Sequence, residues 1–263
     1  MPERDEVGRP GPRFHPRILE NPYRGYHGRV KLLAFAGVLA LTVTAAAAAA
    51  GPVVEHTAAG TSAAKASLLT KTDLGSGWTA TTTKGAGIEV SCSGHMPNGK
   101  GIVETGAAAS PSFAGGSTGP FIVQETSVYK TSRQTSAYWQ RAVNAGLVTC
   151  TRQALESITS KGIKVKIDSQ GALKLQQVAP LTAGYRVVAT LSSKTQKALK
   201  TYMDWIFVAK GNTLTQIEIS DFTQPVPAKY EYALALIAYD HMGGKASAGS
   251  TGGSKSGSKL PTA

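Results

Sequence analysis

Between Lys31 and Glu55 the chain runs for 23 residues, Leu32 to Val54, without a charged side chain. Crossing a bilayer takes about 20 apolar residues, so this stretch divides the chain into a segment that serves export and a remainder that must build its own core. Its first half, Leu32 to Leu41, is strongly apolar; the second is mostly an alanine run that adds little transfer free energy per residue. Arg24, Arg29 and Lys31 stand before it and Glu55 after it, and positive charge is retained on the cytoplasmic side. The pattern predicts residues 1–31 as a cytoplasmic tail, 32–54 as a transmembrane signal anchor and the C-terminal domain outside the cell. A signal peptide cleaved in the alanine run, for instance after Ala50, would instead release a secreted protein. The 31-residue tail is longer than most signal-peptide leaders, which favours the anchor.

Composition divides the rest. Residues 1–31 hold five prolines among scattered charges and cannot form a packed core, so they read as disordered. Residues 55–66, rich in Ala, Thr, Ser and Gly, read as a stalk, and residues 244–263, almost all Gly, Ser, Lys, Thr and Ala, as a disordered tail. That leaves 67–243 as the folded domain, long enough to bury a core of its own. The net charge of +12 is spread along the chain, and no run of Lys and Arg is interleaved with stacking aromatics, which argues against a nucleic-acid partner.

Within the domain, the periodicity predicts an α+β fold: a mostly antiparallel sheet packed with a long central helix and a C-terminal helix. Strands are expected near 78–83, 101–107 and 121–129. From Thr131 to Ser160 the period changes, with Trp139, Val143, Leu147, Cys150, Ala154 and Ile158 recurring every three or four residues, as one helix or two meeting at Gly146. Ser132 is the expected N-cap. Alternation returns at Ile163–Ile167, and strands are expected at 173–178 and 185–191. Tyr202–Ala209 and Thr213–Ser220 flank Gly211-Asn212, a pair suited to a two-residue hairpin turn. With Lys210 facing Thr213, Ile206 pairs with Ile217 and Asp204 with Ile219, while Met203, Trp205 and Phe207 share the other face with Leu214, Gln216 and Glu218. A last helix starts near Pro227, with Tyr230, Ala233, Leu234, Ile237 and His241 on one stripe.

Few residues offer chemistry. Cys92 and Cys150 are the two cysteines; on the exported side they are expected to pair as a disulfide closing a loop of about 58 residues, worth about 4 kcal/mol. Gly115-Gly116-Ser117-Thr118-Gly119 matches the hydrolase pattern G-x-S-x-G, and Asp204 or Asp221 followed by His241 would complete a triad. A nucleophile elbow needs a strand before the serine and a helix after it, whereas here a Gly/Ser loop runs into Pro120, so no catalytic residue is assigned. Ser62-Ala63-Ala64-Lys65 matches S-x-x-K in a flank read as disordered. Nucleotide, calcium and zinc-protease signatures are absent from the sequence, so neither a metal nor a cofactor is expected. The ligand-cleft candidates are Met203, Trp205 and Phe207, an aromatic sheet face that a covering helix would turn into an apolar cleft.

The segment Leu68-Leu69-Thr70-Lys71-Thr72-Asp73-Leu74-Gly75-Ser76-Gly77-Trp78, Cys92, the Val123–Tyr129 strand leading to a helix with Cys150, and the closing sheet and helix together resemble the PknH-like extracellular sensor domains and related lipoproteins of actinobacteria. The likeness covers Ser67 to about Met242. It implies an antiparallel sheet packed with helices and a ligand-sensing role. The kinase-attached members generally have four paired cysteines; this chain has two, and no kinase precedes its apolar segment. The expected function is therefore that of a membrane-anchored, extracytoplasmic, non-catalytic module that binds a small ligand or a cell-envelope component. The alternatives are a structural or adhesive envelope protein, held to anionic wall polymers by its basic tail, and a secreted hydrolase.

Overall fold

The computed structural model describes residues 51–81, 97–157, 163–193 and 197–242. In chain order the elements are β1 (Val53–Val54), α1 (Ala58–Ala66), α2 (Lys71–Leu74), β2 (Thr79–Thr81), β3 (Val103–Ala109), β4 (Ser112–Ala114), β5 (Phe121–Tyr129), α3 (Ser132–Ala142), α4 (Ala145–Ser157), β6 (Ile163–Ala172), β7 (Leu181–Ser193), β8 (Leu199–Lys210), β9 (Thr213–Asp221) and α5 (Ala228–His241).

The hairpin between β8 and β9 organises the sheet. Gly211 takes φ +59°, which the reversal at Gly211-Asn212 requires and a Cβ would disfavour. Lys210 faces Thr213, and the register then places Ile206 against Ile217 and Asp204 against Ile219, as the alternation implied. The strands lie in the order β1-β3-β5-β9-β8-β7-β6, with β4 bonded to the outer end of β5 and β2 to β4. Every pairing is antiparallel except that of β1 with β3. The α+β expectation therefore stands, with a mixed sheet.

Strict alternation on β8 splits the core in two. Ile206 and Val208 point to one face, with Ile217 and Ile219 of β9, Leu74 of α2, Trp78 and the inner side of α5. Met203, Trp205 and Phe207 point to the other, beneath Trp139 of α3 and Cys150, Ala154 and Leu155 of α4. Each large aliphatic side chain removed from water contributes about 1.5–3 kcal/mol, so two packed faces hold the central strands more firmly than the edges. On the first face Trp78 stacks on Tyr230, ring centroids 6.2 Å apart.

Of the two readings of the central stripe, one long helix or two meeting at Gly146, the second holds, with the break at Val143-Asn144. Val143 leaves helical geometry at φ −102° and ψ 79°. Asn144 then serves both ends of the break, donating from Nδ2 to Arg141 O at 2.9 Å and accepting from Gly146 N at 2.8 Å through Oδ1. A side chain that satisfies the backbone locally competes with helix continuation, and the apolar period does not register that competition. The N-cap of α3 is Thr131, whose side chain accepts from Gln134 N, one residue before the expected Ser132. Leu173–Val178 is a connection between β6 and β7, not a strand.

The stalk is also corrected. Glu55 N donates to Glu104 O and Thr57 N to Thr105 O, at 2.8 and 2.7 Å, so residues 55–57 continue the track of β1 along β3. Helix α1 follows at once, capped by Thr57, and packs over β3 with Ala64 fully buried. Its small residues are what permit this: a Cβ on Gly60 would lie 2.2 Å from Thr105 O, and one on Gly106 2.1 Å from Gly60 C. A composition read as too poor in apolar side chains to order is here the composition of a close helix-on-strand contact. Ser62–Lys65, the S-x-x-K match, is part of this helix.

The membrane reading is corrected on the same ground. Among the described residues no helix is long and apolar enough to cross a membrane. The last residues of the expected 32–54 span, Val53 and Val54, are an edge strand paired in parallel with Val103 and Glu104. The signal anchor, the single-pass topology with a cytoplasmic N-terminus and the membrane as a partner are therefore not retained. Residues 1–50 and the expected tail, 244–263, lie outside the described residues.

Candidate functional site

The face of the sheet beneath α5 carries a buried charge cluster. Register places Arg186 of β7 directly opposite Asp204 of β8. Asp204 shares the inward face of Ile206 and Val208 and is fully buried. Arg186 Nε donates to Asp204 Oδ1 at 2.6 Å and Nη2 to Oδ2 at 2.7 Å, the fork geometry that makes arginine–carboxylate pairs strong and directional. Nη2 also donates to Val226 O at 3.0 Å, just before α5, and to Oε1 of Glu231 in the first turn of that helix. One guanidinium thus ties together β7, β8 and α5.

Burial and charge set the protonation of this cluster. Glu231 is 2% exposed, and its carboxyl is pushed up to about 7 from its ordinary 4.5. Burial is the largest cause and the neighbouring Asp204 charge the next, with Arg186 acting in the opposite direction. The hydrogen bond to Asp204 holds the Arg186 guanidinium above its ordinary range.

Arg186 and Glu231 form one wall of an open groove of about 400 Å³. Residues 169–174, on the neighbouring strand β6, where Gly171 pairs with Arg186, and just beyond it, line the groove too, as do Val226 and Ala228 beside α5. The guanidinium Nη1 takes part in none of the cluster's hydrogen bonds. Lys174 brings a second cation to the same space. Chemically the groove offers an anchored guanidinium, an ammonium and a carboxyl group that holds its proton near neutrality.

The residues singled out in the sequence lie elsewhere. Met203, Trp205 and Phe207 are 4–5% exposed and belong to the core under α3 and α4. Trp205 and Phe207 border a narrow slot beneath α4, which Met203 does not line. Cys150 is buried on the inner side of α4 and is disulfide-bonded; Cys92, its expected partner, lies outside the described residues. The serine triad is not assembled. His241 is engaged by Leu68 O at 3.0 Å and stands 3.5 Å from Asp73. Asp204 is held by Arg186, and Asp221 turns its Oδ1 to Thr223 and Gln224. The Gly115–Gly119 loop is a structural connection: Gly115 N bonds Pro120 O, and Thr118 O receives Phe222 N. Among the described residues no group of three or more His, Cys, Asp or Glu side chains could hold a metal.

Arg186 and Glu231 went unremarked in the sequence, although each left a trace. Arg186 is the lone charge in the run Tyr185–Leu191, and Glu231 falls four residues before the buried Ala235 on the inner side of α5. What no pattern reveals is that the two meet across 45 residues.

No family model matches the chain, and no curated protein is significantly similar to it.

Proposed function

We propose that this α+β domain is a non-catalytic module that binds a small anionic ligand, such as a carboxylate, in the groove at Arg186. The observation that carries the reading is a guanidinium fixed by two buried carboxylates, with Nη1 uncommitted among the described residues, in the wall of a 400 Å³ groove that Lys174 also lines. A donor already locked in place loses little entropy when a ligand arrives, and the volume lies in the range of small-molecule sites. Both carboxylates are committed to Arg186, so the groove offers a recognition group instead of a free acid–base pair, which supports binding over catalysis. The likeness to actinobacterial sensor domains points the same way and is part of this proposal.

The test is a titration of the full chain with benzoate, and with benzylamine as its cationic counterpart, followed through the Arg186 Nε–H resonance. Benzoate is expected to shift that resonance saturably, and Lys174→Glu, a change at an exposed position, to weaken binding about tenfold. Preference for benzylamine, or no response to benzoate, would overturn the reading.

A further inference from the structure

Among the described residues three glycines lie inside strands, and two of them answer to packing. A Cβ on Gly106 of β3 would lie 2.1 Å from Gly60 C, and one on Gly184 of β7 would stand 3.0 Å from Leu173 Cβ. Gly171 of β6 has no such reason. A Cβ there meets no atom within 4 Å among the described residues, and its φ lies outside the left-handed region that favours glycine. The register shift of β6 falls earlier, between Ile167 and Ser169, and regular pairing runs on through Ala172. Glycine weakens a strand interior; where neither a bulge nor a bend accounts for it, it marks a place where something else approaches the backbone closely.

Gly171 stands beside Arg186. The two are directly opposed on adjacent antiparallel strands, so a side chain at 171 would share the arginine's face of the sheet, its Cβ about 5 Å from that of Arg186. Arg186 turns its Nε and Nη2 edge to Asp204 on β8. In a planar guanidinium Nη1 lies on the other edge, away from β8, and β6 is the strand on that side of β7. The space that a side chain at 171 would fill is therefore on the side of the cation left uncommitted among the described residues. Gly171 lines the groove together with Leu173, Val226 and Ala228, which add apolar surface to the same space.

We propose, on the reading of the groove as an anion site, that Gly171 determines its specificity: the missing side chain makes room beside Arg186 for a carboxylate borne directly on a flat aryl body, which a larger residue would exclude.

The full chain and its Gly171→Val variant are titrated with benzoate and with acetate, which carries the same anion without the ring, and followed through the Arg186 Nε–H resonance. In the parent both anions are expected to shift it saturably. Valine suits a strand, so the variant should keep the folded spectrum. It should bind benzoate about tenfold more weakly, as a steric block predicts, and acetate as the parent does. Should the valine prevent folding, Gly171→Ala, whose Cβ has open space, takes its place and should weaken benzoate alone. Benzoate binding unchanged in the variant, or benzoate and acetate weakened alike, would overturn the proposal and leave the anion site standing. Neither anion moving the resonance in the parent would remove the site itself, and the proposal with it.

Discussion

Arg186 and Asp204 face each other on adjacent strands and are joined by two parallel hydrogen bonds of 2.6 and 2.7 Å, one of them shared with the nitrogen that also reaches Glu231. The pair is buried on the carboxylate side and opens to the groove on the guanidinium side, with Asp204 fully covered and Arg186 about a quarter exposed. One contact therefore both closes the core under α5 and presents a cation to a ligand.

Removing the cation should be costly. Arg186→Met leaves Asp204 and Glu231 buried together without a counter-charge, and breaking such a pair from one side costs about 3–5 kcal/mol. Arg186→Lys keeps the charge but loses the fork and should fall between the two. Urea denaturation midpoints check the order. A stability of Arg186→Met equal to the parent would mean that the cluster contributes little to the fold.

The protonation of Glu231 makes stability depend on pH in a definite direction. Its carboxyl titrates near 7 in the folded protein and near 4.5 when free, so between these values the folded state holds more proton than the unfolded chain. Stability contributed by this group is complete below about 4.5 and declines as pH rises to about 7, levelling off above it. Thermal melts of the parent and of Glu231→Gln across this range provide the comparison, and the slope difference between them should vanish above the upper value.

Helix α1 is held by the approach of Gly60 to Thr105 and Gly106. A methyl group at either glycine collides with backbone, so Gly106→Ala should lift α1 and destabilise the domain by about 1–3 kcal/mol. Hydrogen exchange at residues 58–66 is the measurement, and exchange should accelerate there first. Unchanged protection would mean that α1 does not rely on this contact.

Gln124, 1% exposed, fastens the segment before α2 to the sheet. Its Nε2 donates to Ser67 O at 3.0 Å and to Thr215 Oγ1 at 2.7 Å, and its Oε1 accepts from Leu69 N. Gln124→Leu leaves two backbone groups without partners, at about 1–3 kcal/mol each. A loss of about 2–4 kcal/mol in chemical denaturation, with faster exchange of the Leu69 amide, is the expected outcome.

Much of the fold was legible in the chain because it rests on local rules. Gly211-Asn212 sets the hairpin, the period of two sets its register, and that register alone separates Asp204 from Glu218 and sends Trp205 and Phe207 to the α4 side. The amphipathic periods of α3 and α4 were visible too, whereas on α5 the stripe read as Tyr230, Ala233, Leu234, Ile237 and His241 is rotated: the buried residues are Tyr230, Glu231, Leu234, Ala235 and Ala238. Where local rules compete, the reading failed. Asn144 divides a helix that its apolar stripe would have continued, and residues 55–66, too small and polar to suggest a core, order because glycine lets two backbones touch.

The sequence by itself determined the class of fold, the central hairpin and the side on which each of its residues lies, since these follow from turn chemistry and from alternation along a single strand. Tertiary structure alone decided where chemistry could occur. Arg186 meets Asp204 across 18 residues and Glu231 across 45, and only pairing β7 with β8 and laying α5 across them brings three charges into one buried cluster. Periodicity reports which way a side chain points; the partner it finds there, and the protonation that follows from being buried together, depend on the packing of elements distant in the chain.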